Sequence, residues 1–189
     1  MFKGAFLTVL TAAALVIGCC VVPPACATDY VQTSGSILVF SNKYDGRAFT
    51  GTFPGFYTQM SFDANDLSKA HLDVTIPLTY AQTGDKDRDA TLQSADFFNV
   101  SKFATAHYQA SKFRALGHDK YAADGTLELR GMTKPVTLTF TWRPGTQPVL
   151  NGKATVNRLD FGIGSGDWAD IKIIPNGTAI STKVVFKAK

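Results

Sequence analysis

The chain has few cysteines, and all of them lie close to its start. Cys19, Cys20 and Cys26 fall within residues 1–27, and no cysteine follows. A domain formed by the remaining residues can therefore hold no disulfide and no cysteine-ligated zinc or iron–sulfur centre. Its stability has to come from a packed hydrophobic core.

Patterns for binding metals and nucleic acids are also lacking. The three histidines, His71, His107 and His118, are far apart and match neither the H-x-x-x-H nor the H-E-x-x-H spacing. The formal charge of +4 falls to +3 without residues 1–27, which contain one lysine and no acidic residue. The basic residues are scattered, with no run of three. We therefore expect no metal and no nucleic-acid partner.

No arrangement of nucleophile and base is evident either, so we predict that the protein is not an enzyme. The glycine-rich segment 162–166 fits neither a phosphate loop nor a nucleophile elbow, and Asp167 stands where a dinucleotide fingerprint needs its last glycine. Asp85, Asp87 and Asp89 alternate with basic residues, which is typical of a solvated helix start. An enzyme acting on a lipid-like substrate is the least supported hypothesis.

Residues 1–27 have the features of a bacterial signal peptide. Lys3 forms a short basic region, residues 5–17 are apolar but too few to span a bilayer, and residues 25–27 form a small-x-small cleavage site. Cleavage there would leave a domain of residues 28–189 in the periplasm or outside the cell.

A second processing site overlaps the first. Residues 16–19 resemble the lipobox of bacterial lipoproteins, in which the cysteine is lipidated and becomes the new N-terminus. Cleavage before Cys19 would give a protein anchored through that residue, whereas cleavage after Ala27 would give a soluble one. Both alternatives stay open at this point.

The remaining sequence is typical of an all-β protein. Apolar residues alternate with threonine in segment 136–142, as expected when one face of a strand is buried. Similar segments predict about eight short antiparallel strands, in a sandwich or a closed barrel. They lie at 36–40, 49–53, 72–78, 108–113, 127–130, 136–142, 153–157 and 179–187. The turn signals between them are Asp45-Gly46, Asp124-Gly125, Asn151-Gly152 and Asn176-Gly177.

One segment departs from the strand pattern. Residues 84–98 predict a short helix, with Asp85 as its N-cap and Asp87 and Asp89 in its first turn. A single helix in a β-protein usually covers one end of a barrel or packs on its side.

Phenylalanine is abundant, with 14 in the chain, and most of these lie between Phe40 and Phe161. They could fill a β-core or line an apolar cavity. Composition by itself favours a filled core, because protein interiors are normally close-packed.

Three sequence blocks, taken in order, resemble the YceI-like family of lipid-binding secreted proteins. Residues 84–98 (GDKDRDATLQSADFF), 125–136 (GTLELRGMTKPV) and 156–164 (VNRLDFGIG) each resemble a family motif. The chain departs from the family in its first strand, where Gly35 occupies a position often held by histidine. It also has Asn42-Lys43-Tyr44 where relatives have a Lys-His pair.

The resemblance implies an eight-stranded antiparallel lipocalin-like β-barrel whose interior holds a lipid tail, so it favours a lining role for many aromatic residues. The expected lining residues are Phe40, Phe49, Phe53, Leu92, Phe97, Phe98, Phe140, Phe161 and Trp168. Arg88, Asp89 and Arg158 are expected at the mouth or in its support. In a purely structural alternative, Arg88 pairs with Asp89 or Asp160 and clamps the helix to the barrel.

The leading functional hypothesis is a periplasmic carrier of a long-chain isoprenoid lipid, either polyprenyl or quinone-like. No other cofactor is expected. The alternative is an accessory module of a membrane redox or stress-response system, with a barrel filled by its own side chains. Association with a membrane or a cytochrome-type membrane partner, and formation of a homodimer, are left open.

Overall fold

The computed structural model describes residues 27–189. The predicted signal peptide, apart from its last residue, lies outside this range, and so does the candidate lipidation site Cys19. Within the described range, no helix is both long enough and apolar enough to cross a membrane.

The described residues form ten strands and one α-helix, α1 (Lys86–Gln93). The strands are β1 (Thr28–Gln32), β2 (Ile37–Tyr44), β3 (Arg47–Thr52), β4 (Tyr57–Phe62), β5 (His71–Pro77), β6 (Thr105–Gly117), β7 (Lys120–Leu129), β8 (Met132–Arg143), β9 (Val149–Asn157) and β10 (Gly177–Ala188). Each of the eight predicted strands overlaps one of these. The two that were missed, β1 and β4, are short.

Eight strands close into an antiparallel barrel in the order β1-β4-β5-β6-β7-β8-β9-β10. The closing ladder joins β10 to β1, where Tyr30 lies opposite Ala188. The remaining two strands form a hairpin that extends the wall, because β2 pairs with β10 beyond the end of β1. The predicted eight-stranded barrel with one short helix is thus confirmed. Closure pairs the two edges of the eight-stranded ring, and β3 remains as an edge strand whose outer side forms one isolated bridge, between Thr52 and Gln82.

The turn signals have two different outcomes. Asp45-Gly46 does connect β2 to β3, and both residues have positive φ, as a type I′ hairpin turn requires. Asp124-Gly125 and Asn151-Gly152 were predicted as turns but lie inside β7 and β9.

Close packing explains why these two glycines occur within strands. A Cβ on Gly125 would overlap the carbonyl oxygen of Gln109 on the neighbouring strand. A Cβ on Gly152 would lie 3.0 Å from Leu138 and 3.1 Å from Thr182. Glycine is used here for close approach to its neighbours rather than for chain reversal.

One half of the barrel interior is filled with aromatic rings, which we call the aromatic plug. Its members are Tyr30, Phe62, Phe113, Tyr121, Phe140, Trp142 and Phe186. The ring centroid of Phe62 lies 5.1 Å from that of Tyr121 and 5.1 Å from that of Trp142. Such spacing is typical of offset and edge-to-face aromatic contacts. This half of the barrel therefore needs no ligand to be packed.

Candidate functional site

The other half of the barrel encloses a cavity of about 450 Å³. Its wall is made by the inward side chains of the strands, most of them aliphatic or aromatic. Thr58, Leu138 and Val184 line the cavity, whereas the next inward residues on the same strands do not. These next residues are Met60, Phe140 and Phe186. The cavity therefore ends where the aromatic plug begins, and we call this end the floor.

Helix α1 lies at the opposite end, the mouth. Asp85 caps the helix, as predicted, by accepting hydrogen bonds from the backbone N–H groups of Asp87 and Arg88. Its carboxylate also forms an ion pair of 3.3 Å with the Arg88 guanidinium. The same guanidinium lies 4.8 Å from the ring centroid of Phe49 on β3. A half-exposed cation is thereby held at the entrance to an apolar cavity.

Asp89 holds the segment that leads into α1 and does not itself line the cavity. Its carboxylate accepts hydrogen bonds from the backbone N–H and the hydroxyl of Thr83, both at 2.7 Å. Asp160 accepts a bond from Asn157 instead. The predicted clamp between Arg88 and either carboxylate is therefore wrong, because Arg88 pairs with its own helix cap.

Arg158 is buried next to the mouth, with 4 % of its surface exposed. It forms no salt bridge with any described residue, and its N–H groups donate instead to four backbone carbonyls. These belong to Ile163, Gly164, Trp168 and Ile174. All five N–H donors of the guanidinium are used, so none is left for a head group. Burial lowers the pKa of Arg158. The residue supports the mouth by fixing the loop that follows β9.

That loop carries Trp168 into the mouth. The Trp168 ring centroid lies 5.5 Å from that of Phe97, which follows α1. It also lies 6.4 Å from that of Tyr44, at the end of β2. Three segments that are far apart in sequence thus form one aromatic rim.

Most of the predicted lining residues do reach the cavity. Those that line it are Phe40, Phe49, Phe53, Arg88, Leu92, Phe97, Phe98, Arg158 and Trp168. Phe140 does not, because it belongs to the aromatic plug and stacks on Tyr121 at 5.5 Å. Phe161 is 1 % exposed and packs into the core from the 3-10 turn Arg158–Phe161. The prediction that these two residues line the cavity is corrected accordingly.

The aliphatic part of the wall was not among the predicted lining residues. This part includes Leu38, Leu72, Val74, Ile76, Leu138, Leu150, Ile180 and Val184. The alternation within the predicted strands already indicated that several of these point inward. Tyr108 was missed as well. Its hydroxyl donates to the carbonyl oxygen of Ala123 at 2.8 Å, and burial raises its pKa.

Potential metal ligands are dispersed in the described part of the chain. No three His, Cys, Asp or Glu side chains among residues 27–189 come together as a group that could hold a metal ion. His107 and Asp73 form a pair at 3.0 Å. Burial alone would raise the pKa of Asp73, but hydrogen bonds from Gln109 and His107 hold it below its usual value. Asp73 alternates with cavity-lining Leu72 and Val74, so this pair lies on the outer face.

Two solved structures share this architecture. BcnA of Burkholderia cenocepacia superimposes with a TM-score of 0.78 at 24 % identity, covering 82 % of this chain and 98 % of that one. A polyisoprenoid-binding domain from Saccharophagus degradans superimposes with a TM-score of 0.66 at 12 % identity, covering 86 % and 99 %. At such low sequence identities, the similarity shows a shared fold and nothing further.

Relatives found by sequence comparison have a higher sequence identity to this chain than the two solved structures. A protein of Ectopseudomonas mendocina, named only UPF0312 protein, is 34 % identical over 142 residues, which is 73 % of this chain and 72 % of the relative. The sequence model of the YceI-like domain matches residues 30–189, which is nearly the whole described range. The barrel, its end helix and this match agree with the resemblance seen in the sequence, and the chain belongs to the YceI-like family.

Proposed function

We propose that this protein binds and carries an amphiphilic lipid with a long apolar tail, without changing it chemically. One observation supports this above all, namely an apolar cavity of about 450 Å³ inside a closed barrel. Empty apolar volume of this size is costly in a folded protein. A lipid tail would restore the missing contacts, and each buried CH₂ group adds about 0.8 kcal/mol of favourable transfer free energy.

The distribution of charge supports an amphiphile rather than a plain hydrocarbon. The charged side chains that line the cavity are Asp85, Asp87 and Arg88 on α1, together with Arg158, whose donors are all used. A head group at the mouth would stay hydrated and would lie beside Arg88. Only the tail would then leave water.

An isoprenoid is our preferred ligand class, either a polyprenyl or a quinone-like lipid. The wall combines aromatic rings with branched aliphatic side chains, which suits a slender methyl-branched chain. The similar domain from Saccharophagus degradans is described as polyisoprenoid-binding. The leader-like residues 1–27 support a site of action in the periplasm or outside the cell, as a soluble protein or one anchored through Cys19.

The first test is native mass spectrometry of the protein purified from its host, followed by organic extraction. A stoichiometric long-chain lipid released on denaturation would support the proposal and identify the class. A mass equal to that of the bare polypeptide, together with failure of the delipidated protein to take up any amphiphile, would refute it. The same spectrum would show whether the N-terminus is Thr28 or an acylated Cys19.

A matched pair of variants ties binding to the cavity. Ala154 on β9 lines the cavity, whereas Ala179 on β10 is exposed on the outer face one strand away. Ala154→Trp should fill the cavity and abolish lipid uptake. Ala179→Trp should leave uptake unchanged, because it adds the same ring outside the barrel.

The alternative is an accessory module with a filled barrel. It agrees with the aromatic plug, but it does not explain the cavity in the other half of the barrel. Association with a membrane or a cytochrome-type membrane partner, and formation of a homodimer, remain predictions that the carrier proposal does not require.

A further inference from the structure

The floor of the cavity carries one polar side chain, that of Thr58. Thr58 is 1 % exposed and is the last residue of β4 to line the cavity. Its hydroxyl has no hydrogen-bond partner among the described residues. Valine has nearly the same shape as threonine, with a methyl group in place of the hydroxyl. Packing alone therefore gives no reason for threonine at this position. A buried hydroxyl without a partner destabilises the protein unless something else bonds to it.

Most other polar side chains of the wall are already engaged. Tyr108 donates to the carbonyl oxygens of Ala123 and Val136, Thr182 donates to that of Ile37, and Asn42 donates to that of Pro175. Thr58 differs from them because its hydroxyl has no partner among the described residues and is free both to donate and to accept.

A second buried polar atom without a partner among the described residues belongs to Gln32, on the neighbouring strand β1. The β1–β4 ladder pairs Val31 with Gln59, so the next step along it brings Gln32 beside Thr58. The side-chain N–H of Gln32 donates to the carbonyl oxygen of Phe56 at 2.9 Å, which leaves its buried Oε1 as a free acceptor among the described residues. Gln32 lines a neighbouring pocket that shares Leu38, Phe53 and Phe56 with the main cavity.

The floor also lacks charge. Each charged side chain that lines the cavity belongs to α1, to its N-cap Asp85 or to the turn after β9, and none belongs to β4 or β5. An ionised group would therefore lose its hydration at the floor with no opposite charge to compensate. An uncharged group that accepts from Thr58 matches the free hydroxyl, and Gln32 offers a further free acceptor on the neighbouring strand.

We propose that the floor is a polar subsite, built on Thr58 with Gln32 beside it, for an uncharged hydroxyl-type group at the buried end of the ligand. This inference rests on the proposed lipid-binding function and narrows its ligand class. The preferred ligand is polar at both ends, with its charged or hydrated head at the mouth and a hydroxyl at the floor.

The test compares straight-chain fatty acids with their ω-hydroxy counterparts at matched chain lengths. Each pair is titrated into delipidated protein by displacement of a fluorescent fatty acid. At the chain length that reaches the floor, the affinity ratio of the ω-hydroxy acid to the plain acid should be roughly two- to tenfold higher in the wild type than in Thr58→Val. Thr58→Ser keeps a hydroxyl and should keep the wild-type ratio.

The outcomes separate the two proposals. If neither acid binds, the proposed function fails, and the subsite fails with it. If both acids bind but the ratio is the same in the wild type and in Thr58→Val at every chain length, the subsite alone is refuted. Thermal unfolding of the ligand-free variant is an independent check. Thr58→Val should melt no lower than the wild type, and a clear decrease would show that the hydroxyl is already bonded within the protein.

Discussion

The guanidinium of Arg158 donates a hydrogen bond of 2.8 Å to the backbone carbonyl oxygen of Trp168. This bond joins a buried cation at the end of β9 to the loop that carries an aromatic ring into the cavity mouth. Other N–H groups of the same side chain hold the carbonyls of Ile163 and Ile174. The shape of the mouth therefore depends on one arginine that cannot itself contact a head group.

Replacement of Arg158 should destabilise this loop and the whole barrel. Lysine has three donors and no planar fork, so Arg158→Lys leaves buried carbonyls unpaired and should lower the free energy of unfolding by about 1–3 kcal/mol. Urea denaturation followed by tryptophan fluorescence measures this change. Arg143 is exposed at the end of β8, and Arg143→Lys is the control that should change little. Equal stability of both variants would contradict this role for Arg158.

Any side chain at Gly51 is predicted to destabilise the protein. It lies opposite Phe40 in the β2–β3 ladder, and a Cβ there would overlap the Phe40 ring and lie 2.9 Å from the carbonyl oxygen of Gln82. Gly51→Ala should therefore cost about 1–3 kcal/mol of unfolding free energy, measured by urea denaturation.

A second substitution tests the cause of that loss. The double variant Gly51→Ala/Phe40→Leu should recover part of the stability relative to the sum of the two single changes, because the smaller side chain frees the space that the methyl group needs. Strict additivity of the two changes would show that the Phe40 ring is not the obstacle.

Arg88 should favour anionic amphiphiles over uncharged ones of the same length, although its ion pair with Asp85 offsets part of its charge. Its guanidinium is at the mouth, and 33 % of its side chain is exposed, so the attraction should be modest and weakened by salt. Arg88→Gln should weaken the binding of a fatty acid by roughly two- to fivefold at low salt and leave the binding of the matching fatty alcohol unchanged.

The neighbouring lysine provides the control for this prediction. Lys86 is exposed in the first turn of the same helix and does not line the cavity. Lys86→Gln removes one positive charge from α1 but should leave the preference for the acid intact. If both substitutions weaken fatty-acid binding equally, the preference comes from the overall charge of α1 and not from Arg88 in particular.

Acid should remove a specific contribution to stability made by Asp124. A hydrogen bond from Arg114, followed by one from Thr137, lowers the pKa of Asp124 from 3.8 to about 2. Because the folded-state pKa is the lower one, the contribution is complete above pH 4 and is lost as the pH falls from about 4 to about 2. The pair is exposed, so the effect should be small.

Urea denaturation at several pH values would detect this contribution. Asp124→Asn should flatten the decline in stability between about pH 4 and pH 2. Arg114→Gln should reproduce most of the flattening, and Thr137→Val should reproduce less of it. If the stability of Asp124→Asn falls with pH as steeply as that of the wild type, other carboxylates cause the acid sensitivity.

Local patterns in the sequence were sufficient for eight of the ten strands and for the helix start. Threonine alternation predicted the strand that became β8, and Asp85 was identified as the cap of α1 from its position before a polar helical turn. Both features depend on residues within a few positions of each other. The family motifs added the barrel and placed Arg88, Phe97 and Phe98 near a ligand cavity.

The sequence alone established that residues 28–189 lack cysteine and form a β-protein with alternating strands, a capped helix and the motifs of a YceI-like barrel. Only the tertiary structure decided where along the barrel the interior is filled. Phe53 lines the cavity while Phe140 packs in the aromatic plug, although both are buried aromatic residues. Alternation shows which face of a strand points inward, but not its height in the barrel. That height is set by the register of eight strands, whose contacting side chains are far apart in sequence.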